Sequence, residues 1–314
     1  MFPSILLTAR RGFASSARQQ QAIQNVMVLG GGLMGSGIVQ VAAQAGYKVT
    51  MVDTSDAALD NGRSIIQKSL SRVARKKFAD DETAQKSFVE KVFSNISTST
   101  NADQTASGSD LVVEAIVENI DIKQKVFGAL DKVAPKHSIF CSNTSSLPVT
   151  KIAEIVSADR KTRFAGLHFF NPVPAMKLVE VVRTDAVSDE VFDALFEFTA
   201  KVGKTPVACK DTPGFIVNRL LVPYMMEAFR ILERGEASAK DVDTAMKLGA
   251  GMPMGPIELA DFVGLDTMKF IVDGWQKEGI VEPALVKPCT ILNDLVSQGR
   301  LGRKTGQGFF EYKK

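Results

Sequence analysis

An α/β domain built on a parallel-rich sheet, followed by an all-helical domain, is the fold class this sequence predicts, and three observations predict it. Short apolar stretches such as 111–113 and 139–142 alternate with helix-like segments, the pattern of strands buried on both faces. A glycine-rich turn at Gly30-Gly31-Gly32 separates the first β-branched stretch from the first helical one. At Asp211-Thr212-Pro213 the alternation stops, and only helical spacing follows. With 314 residues, 45% hydrophobic and 23% charged, the chain can bury at least one full core, which excludes disorder as its main state.

The elements follow in order. Residues 1–20, MFPSILLTARRGFASSARQQ, contain arginines and serines but no acid, the composition of a transit peptide, and Arg11-Gly12-Phe13-Ala14-Ser15 resembles a processing site cleaved after Phe13. Residues 25–29 read as a strand, 34–45 as a helix and 48–53 as a second strand. No charge occurs from Gln19 to Tyr47, but glycines clustered in mid-stretch exclude a membrane span. Leu59, Ile66, Leu70, Val73 and Phe78, then Phe88, Val92 and Phe93, keep helical spacing with a break at Ala79-Asp80-Asp81, so residues 55–95 are expected to be a helical hairpin inserted in the sheet domain. Strands are expected at 111–113, 139–142, 164–168, 178–182 and 205–208, with helices near 120–134 and 188–202. At the change of pattern, Asp211 or Thr212 as cap and Pro213 in the first turn are expected to open a long helix. The domains expected are 21–212 and 213–314.

Charge and cysteine content exclude several functions. The formal charge is +3, and Arg10, Arg11 and Arg18 account for all of it, leaving a neutral body without a footprint for nucleic acid or an anionic membrane. Cys141, Cys209 and Cys289 are scattered and odd in number, which argues against a disulfide scaffold or a zinc site and for a reducing compartment; no metal is expected.

Gly30-Gly31-Gly32-Leu33-Met34-Gly35 satisfies GxGxxG between a strand and a helix, and Asp53 ends the next strand eighteen residues after Gly35. That context makes a Rossmann-type dinucleotide site. Gly30 turns the chain, Gly32 with the amides of Leu33 and Met34 lets backbone approach a pyrophosphate, and Gly35 lets helix and strand touch. An acid at position 53 binds ribose hydroxyls and repels a 2′-phosphate, so NAD is expected rather than NADP. Ligands of such sheets collect at the carboxyl ends of strands. The polar residues there are Glu118, then Ser142, Asn143, Thr144 and Ser145, then His168 with Asn171. The other histidine, His137, precedes a strand and reads as a solvated loop residue at the opposite edge. Glu180 lies on the apolar face of its strand, and Pro172 and Pro174 reverse the chain between the two, so His168 and Glu180 can meet as a base with its orienting acid. A carboxylate simply paired with Lys177 is the competing account.

The motifs Ser142-Asn143-Thr144-Ser145-Ser146, His168-Phe169-Phe170-Asn171-Pro172, Lys210-Asp211-Thr212-Pro213-Gly214-Phe215 and Gly251-Met252-Pro253-Met254-Gly255-Pro256 closely resemble those of the short-chain L-3-hydroxyacyl-CoA dehydrogenase family, in its mitochondrial members. The likeness runs from about Asn25 to the C-terminus. It implies NAD-dependent oxidation of (S)-3-hydroxyacyl-CoA to 3-oxoacyl-CoA in fatty-acid β-oxidation, in the mitochondrial matrix, by a homodimer joined through the helical domain. It also implies that His168 is the general base and Glu180 its orienting acid, with Ser145, Asn171 and Asn218 around the substrate's oxygens. By the same likeness Glu118, Lys123, Ser145, Asn171 and Lys304 are cofactor contacts, and Ser69, Lys76 and Ser145 contact coenzyme A. Two other readings stay open: an NAD-dependent dehydrogenase of a 3-hydroxy acid without CoA, and a non-catalytic NAD-binding regulatory protein. The basic helix carrying Ser69 and Lys76 argues against the first, and the presence of both His168 and Glu180 against the second.

Overall fold

The computed structural model describes residues 23–312, so the expected presequence lies outside the described residues. An eight-stranded sheet forms the first part of the molecule, in the order β3-β2-β1-β4-β5-β6-β7-β8. Its strands are β1 (Asn25–Leu29), β2 (Lys48–Val52), β3 (Ile96–Ser99), β4 (Leu111–Glu114), β5 (Ile139–Ser142), β6 (Phe164–Phe169), β7 (Leu178–Arg183) and β8 (Thr205–Lys210). Those from β3 through β6 in that order run parallel, β7 is antiparallel to β6, and β8 is parallel to β7. Side-chain alternation explains the two covered faces. Val26 and Val28 enter one apolar cluster with α1 (Leu33–Gln44), whereas Met27 and Leu29 enter the other with Phe127, Phe140 and Phe164.

The inserted hairpin is α2 (Asp56–Lys77) and α3 (Glu82–Phe93). Ser55 and Asp81 cap the two helices through the amides of Ala58 and Ala84, so the break at 79–81 is a capped turn. Strand β3 has no counterpart in the sequence reading: Ile-Ser-Thr-Ser buries only Ile96, too little apolar patterning to announce a strand. Further helices on the sheet are α4 (Ala102–Ala106), α5 (Ile120–Leu130), α6 (Val149–Ile152), α7 (Ala158–Lys161) and α8 (Asp189–Lys201).

Beyond the sheet come α9 (Val217–Glu233), α10 (Ala239–Gly249), α11 (Pro256–Val263), α12 (Leu265–Glu278) and α13 (Thr290–Ser297), around a separate core that includes Met226, Phe229, Ile257 and Trp275. Two expectations are corrected here. Asp211 does not cap the long helix: its carboxylate accepts the amides of Val149 and Thr150 and the Thr150 hydroxyl, capping α6 instead. Gly214 (φ 78°) and Phe215 (φ 50°) occupy left-handed backbone that a helix cannot include, so α9 starts only at Val217. Nor is the C-terminal part wholly helical, since residues past Arg300 form a 3₁₀ turn and isolated bridges Gly302–Gln307 and Gln307–Glu311. Among the described residues no helix is long and apolar enough to cross a membrane.

Candidate active site

The glycine turn lies at the carboxyl end of β1, and its geometry shows why each glycine is needed. Gly30 has φ 107°, and a Cβ there would meet the Ala115 carbonyl oxygen at 2.5 Å; one on Gly35 would lie 1.9 Å from the Gly30 oxygen. At Gly32 a Cβ would meet nothing within 4 Å, and no side chain caps the N-terminus of α1 that begins there. Uncapped amides over open space are what a pyrophosphate requires, so these residues fit NAD. Asp53 closes the turn: Oδ2 accepts the Gly31 amide at 2.6 Å and Oδ1 the Thr54 amide at 2.6 Å. Oδ1 also accepts the Thr54 hydroxyl at 3.2 Å, so Oδ2 is the oxygen that keeps a lone pair for a ribose hydroxyl.

Antiparallel pairing sets His168 directly opposite Glu180. The His168 Nδ1 lies 2.8 Å from Glu180 Oε2, in a site where His168 is 4% exposed and Glu180 fully buried. Phe170 and Phe215 pack against the ring. The carboxylate accepts a hydrogen bond from Nδ1–H, which selects the tautomer whose Nε2 bears a lone pair. Glu180 is therefore not spent on Lys177. Its other oxygen, Oε1, accepts the amides of Ile216 and Val217 at 3.0 and 2.9 Å and so caps α9. Burial pushes this carboxyl up, but the hydrogen bond and charge of His168 and the two amides outweigh it and hold the group below the ordinary carboxylate range. Nothing in the sequence announces this capping role, because the contact joins residues thirty-six apart.

The turn after β5 is held from beneath. Glu118 Oε1 accepts the Thr144 hydroxyl at 2.5 Å, the amides of Ser145 and Ser146 at 3.0 and 3.1 Å, and the Ser146 hydroxyl at 3.1 Å. Burial raises the Glu118 carboxyl, yet the Lys123 ammonium and the donors of the turn hold it below its usual value. Ser142 donates to Glu114 at 2.6 Å, and Asn143 Oδ1 accepts the Phe169 amide at 2.8 Å. Of the five polar side chains from Ser142 to Ser146, only the Ser145 hydroxyl has no partner among the described residues, and it is exposed. Asn218 reaches across from α9, donating to the Ser145 carbonyl at 3.4 Å.

Lys123 does not open onto the edge. It is 1% exposed, its ammonium held by Glu114 at 2.5 Å and Glu118 at 3.2 Å. Lys304 lies in the C-terminal region, ion-paired with Asp266 at 2.5 Å. Ser69 and Asn171 line one cleft of about 420 Å³ together with Leu33, Arg72 and Pro172. Lys76, two helical turns beyond Ser69, is exposed outside that lining. His137 is half-buried against Asp110, at 3.0 Å, rather than simply solvated.

The 3-hydroxyacyl-CoA dehydrogenase NAD-binding domain model matches residues 25–212, and the model of the C-terminal domain of the same enzymes matches 214–312. The chain belongs to the 3-hydroxyacyl-CoA dehydrogenase family. It is 55% identical over 300 residues to the mitochondrial hydroxyacyl-coenzyme A dehydrogenase of Homo sapiens, covering 96% of this chain and 95% of that one. It is 53% identical over 313 residues to a probable 3-hydroxyacyl-CoA dehydrogenase of Caenorhabditis elegans, with both chains covered in full. Among solved structures, an (S)-3-hydroxybutyryl-CoA dehydrogenase of Ralstonia eutropha superposes with a TM-score of 0.85 at 40% identity, covering 93% of this chain and all of that one.

Proposed function

We propose that this chain oxidises (S)-3-hydroxyacyl-CoA to 3-oxoacyl-CoA in mitochondrial fatty-acid β-oxidation, with the matrix as its compartment. The observation that carries the reading is the buried His168–Glu180 pair, on the same sheet as a glycine turn shaped for a dinucleotide. Bound NAD supplies the acceptor for the hydride of substrate C3. The chain's own residues do the rest. His168 Nε2 takes the C3 hydroxyl proton, and Glu180, anchored by the amides of α9, stabilises the imidazolium without becoming protonated. The free Ser145 hydroxyl, with Asn171 and Asn218, surrounds the substrate oxygens. Asp53 binds the adenosine ribose, Glu118 lies at the cofactor, and Lys123 acts through Glu118.

Coenzyme A follows the face of α2 past Ser69 to Lys76, and Lys304 reaches the cofactor only if it leaves Asp266. The 21–212 portion is the nucleotide domain, and 213–314 the dimerisation and substrate domain. Leu220, Leu248 and Phe270, each more than two-thirds exposed on the C-terminal helices, support a homodimer that covers them. The deciding assay follows NADH formation with short-chain (S)-3-hydroxyacyl-CoA beside the free 3-hydroxy acid and beside NADP. Turnover of the ester with NAD is expected. Equal turnover of the free acid would favour the reading without CoA, and no turnover of either would favour a non-catalytic NAD-binding protein.

A further inference from the structure

The turn that carries Ser145 rests on a closed ring of polar groups, buried at Glu114, Lys123, Ser142 and Thr144 and open to solvent at Glu118. Glu114, fully buried at the end of β4, accepts from the Ser142 hydroxyl with one oxygen and from Lys123 with the other. The second oxygen also accepts the Ile116 amide at 2.8 Å. Lys123 passes on to Glu118, Glu118 to Thr144, and the Thr144 amide donates back to the Ser142 oxygen at 3.2 Å. Ser145 sits at the apex, its amide on Glu118 and its hydroxyl free. A carboxylate and an ammonium taken out of water, Glu114 and Lys123, are a costly way to hold a turn, and apolar side chains of similar size commonly do as well for stability. What apolar residues cannot do is fix the direction of four hydrogen-bond donors at once.

We infer that Glu114 is a positioning residue for the dehydrogenation: through Lys123 and Glu118 on one side, and Ser142 on the other, it aims the Ser145 hydroxyl at the substrate oxygen. Glu114 touches neither substrate nor cofactor. The inference rests on the proposed dehydrogenase reading, in which Ser145 meets the substrate. Glu114→Gln is the informative change, because it keeps shape and one acceptor but loses the charge that holds Lys123.

The test is a double-mutant cycle of Glu114→Gln and Ser145→Ala in the full chain, reading kcat, KM and melting temperature. Each single variant is expected to lose roughly 10- to 100-fold in kcat. The double variant should lose no more than about threefold beyond Ser145→Ala alone, because the ring acts only through that hydroxyl. In the unliganded protein, amide hydrogen exchange at Ser145 and Ser146 should quicken in Glu114→Gln while that of Leu167 and His168 holds. Should Glu114→Gln fold poorly, Glu114→Gln with Lys123→Met leaves no lone buried ammonium and enters the same cycle. Multiplying losses, or unchanged exchange at Ser145, would overturn the inference, as would a low melting temperature with wild-type kcat. Absence of turnover in the wild type would instead overturn the dehydrogenase reading, leaving the exchange experiment to judge the ring.

Discussion

At His168 the Nδ1 proton is committed to Glu180 at 2.8 Å, so replacing the ring with Gln removes the one group able to take the substrate proton while keeping its volume roughly filled. His168→Gln is expected to lower kcat by about 10²–10⁴, the usual worth of a positioned general base, with NAD binding and folding retained. A loss under tenfold in steady-state assays would remove His168 from that role. Glu180→Gln tests the pair more sharply. The amides of Ile216 and Val217 can only donate, so they draw the new carbonyl oxygen. The new NH₂ then faces Nδ1, which must become an acceptor, and the imidazole proton moves to Nε2. A ring in that tautomer has no lone pair for the substrate. Turnover should therefore fall by about 10²-fold or more, the lower end of general-base effects, while calorimetry shows only a small change in melting temperature. An early-melting variant with unchanged kcat would make the pair a structural one.

Among the elements, the glycine turn with α1 separates folding from binding within four residues. Gly35→Ala drives a methyl into a backbone oxygen and should destabilise by about 1–3 kcal/mol or more, the cost of overpacking a contact that cannot yield. Gly32→Ala meets no protein atom and should leave the melting temperature alone, yet its methyl enters the space over the helix amides. Titration with NAD should show weakened binding for Gly32→Ala at wild-type stability; equal melting losses in both would contradict the assignment. On α2, Lys76→Ala should raise KM for the CoA ester and hardly change kcat, because a contact with the CoA phosphates is equal in ground and transition states. The rise should shrink with added salt. Unchanged KM at low ionic strength would return Lys76 to an ordinary solvated face. The helix of α9 carries a different lesson: its cap comes from β7, and the local Asp-Thr-Pro that looks like a start serves α6, because two left-handed residues intervene.

For the whole molecule, the depressed carboxylates set the response to acid. Asp110, Glu118, Asp131 and Glu180 all lie below their ordinary values in the folded state, although burial opposes the shift in each; ion pairs and donated hydrogen bonds prevail. A carboxyl with a lowered folded value contributes stability that is complete above its unfolded value and vanishes as pH falls through the folded one. Asp243, raised by burial, has the opposite sign. Glu227, Glu233, Glu236 and Asp266 are lowered as well, so eight described carboxylates stand against one, and urea midpoints should be flat near neutrality and drop steeply below about pH 4, the unfolded carboxylate range. A midpoint that rises on acidification would contradict the balance. The alternation of strands and helices, the glycine turn with Asp53, the hairpin of α2 and α3, and the chance that two prolines bring His168 back to Glu180 are all legible in one dimension. These rest on periodicity and spacing, which are local and survive in one dimension. That Glu180 caps α9, that Asp211 caps α6, that Ile96–Ser99 is a sheet edge, and that Lys123 is buried between Glu114 and Glu118 emerge only from the fold in space. The two caps and the sheet edge set polar groups against ones distant in sequence, and the Lys123 contacts, nine and five residues away, form only because β4 and the turn after it bury them. Hydrogen-bond satisfaction in a buried site depends on where the chain returns in space, and composition and periodicity carry no record of that.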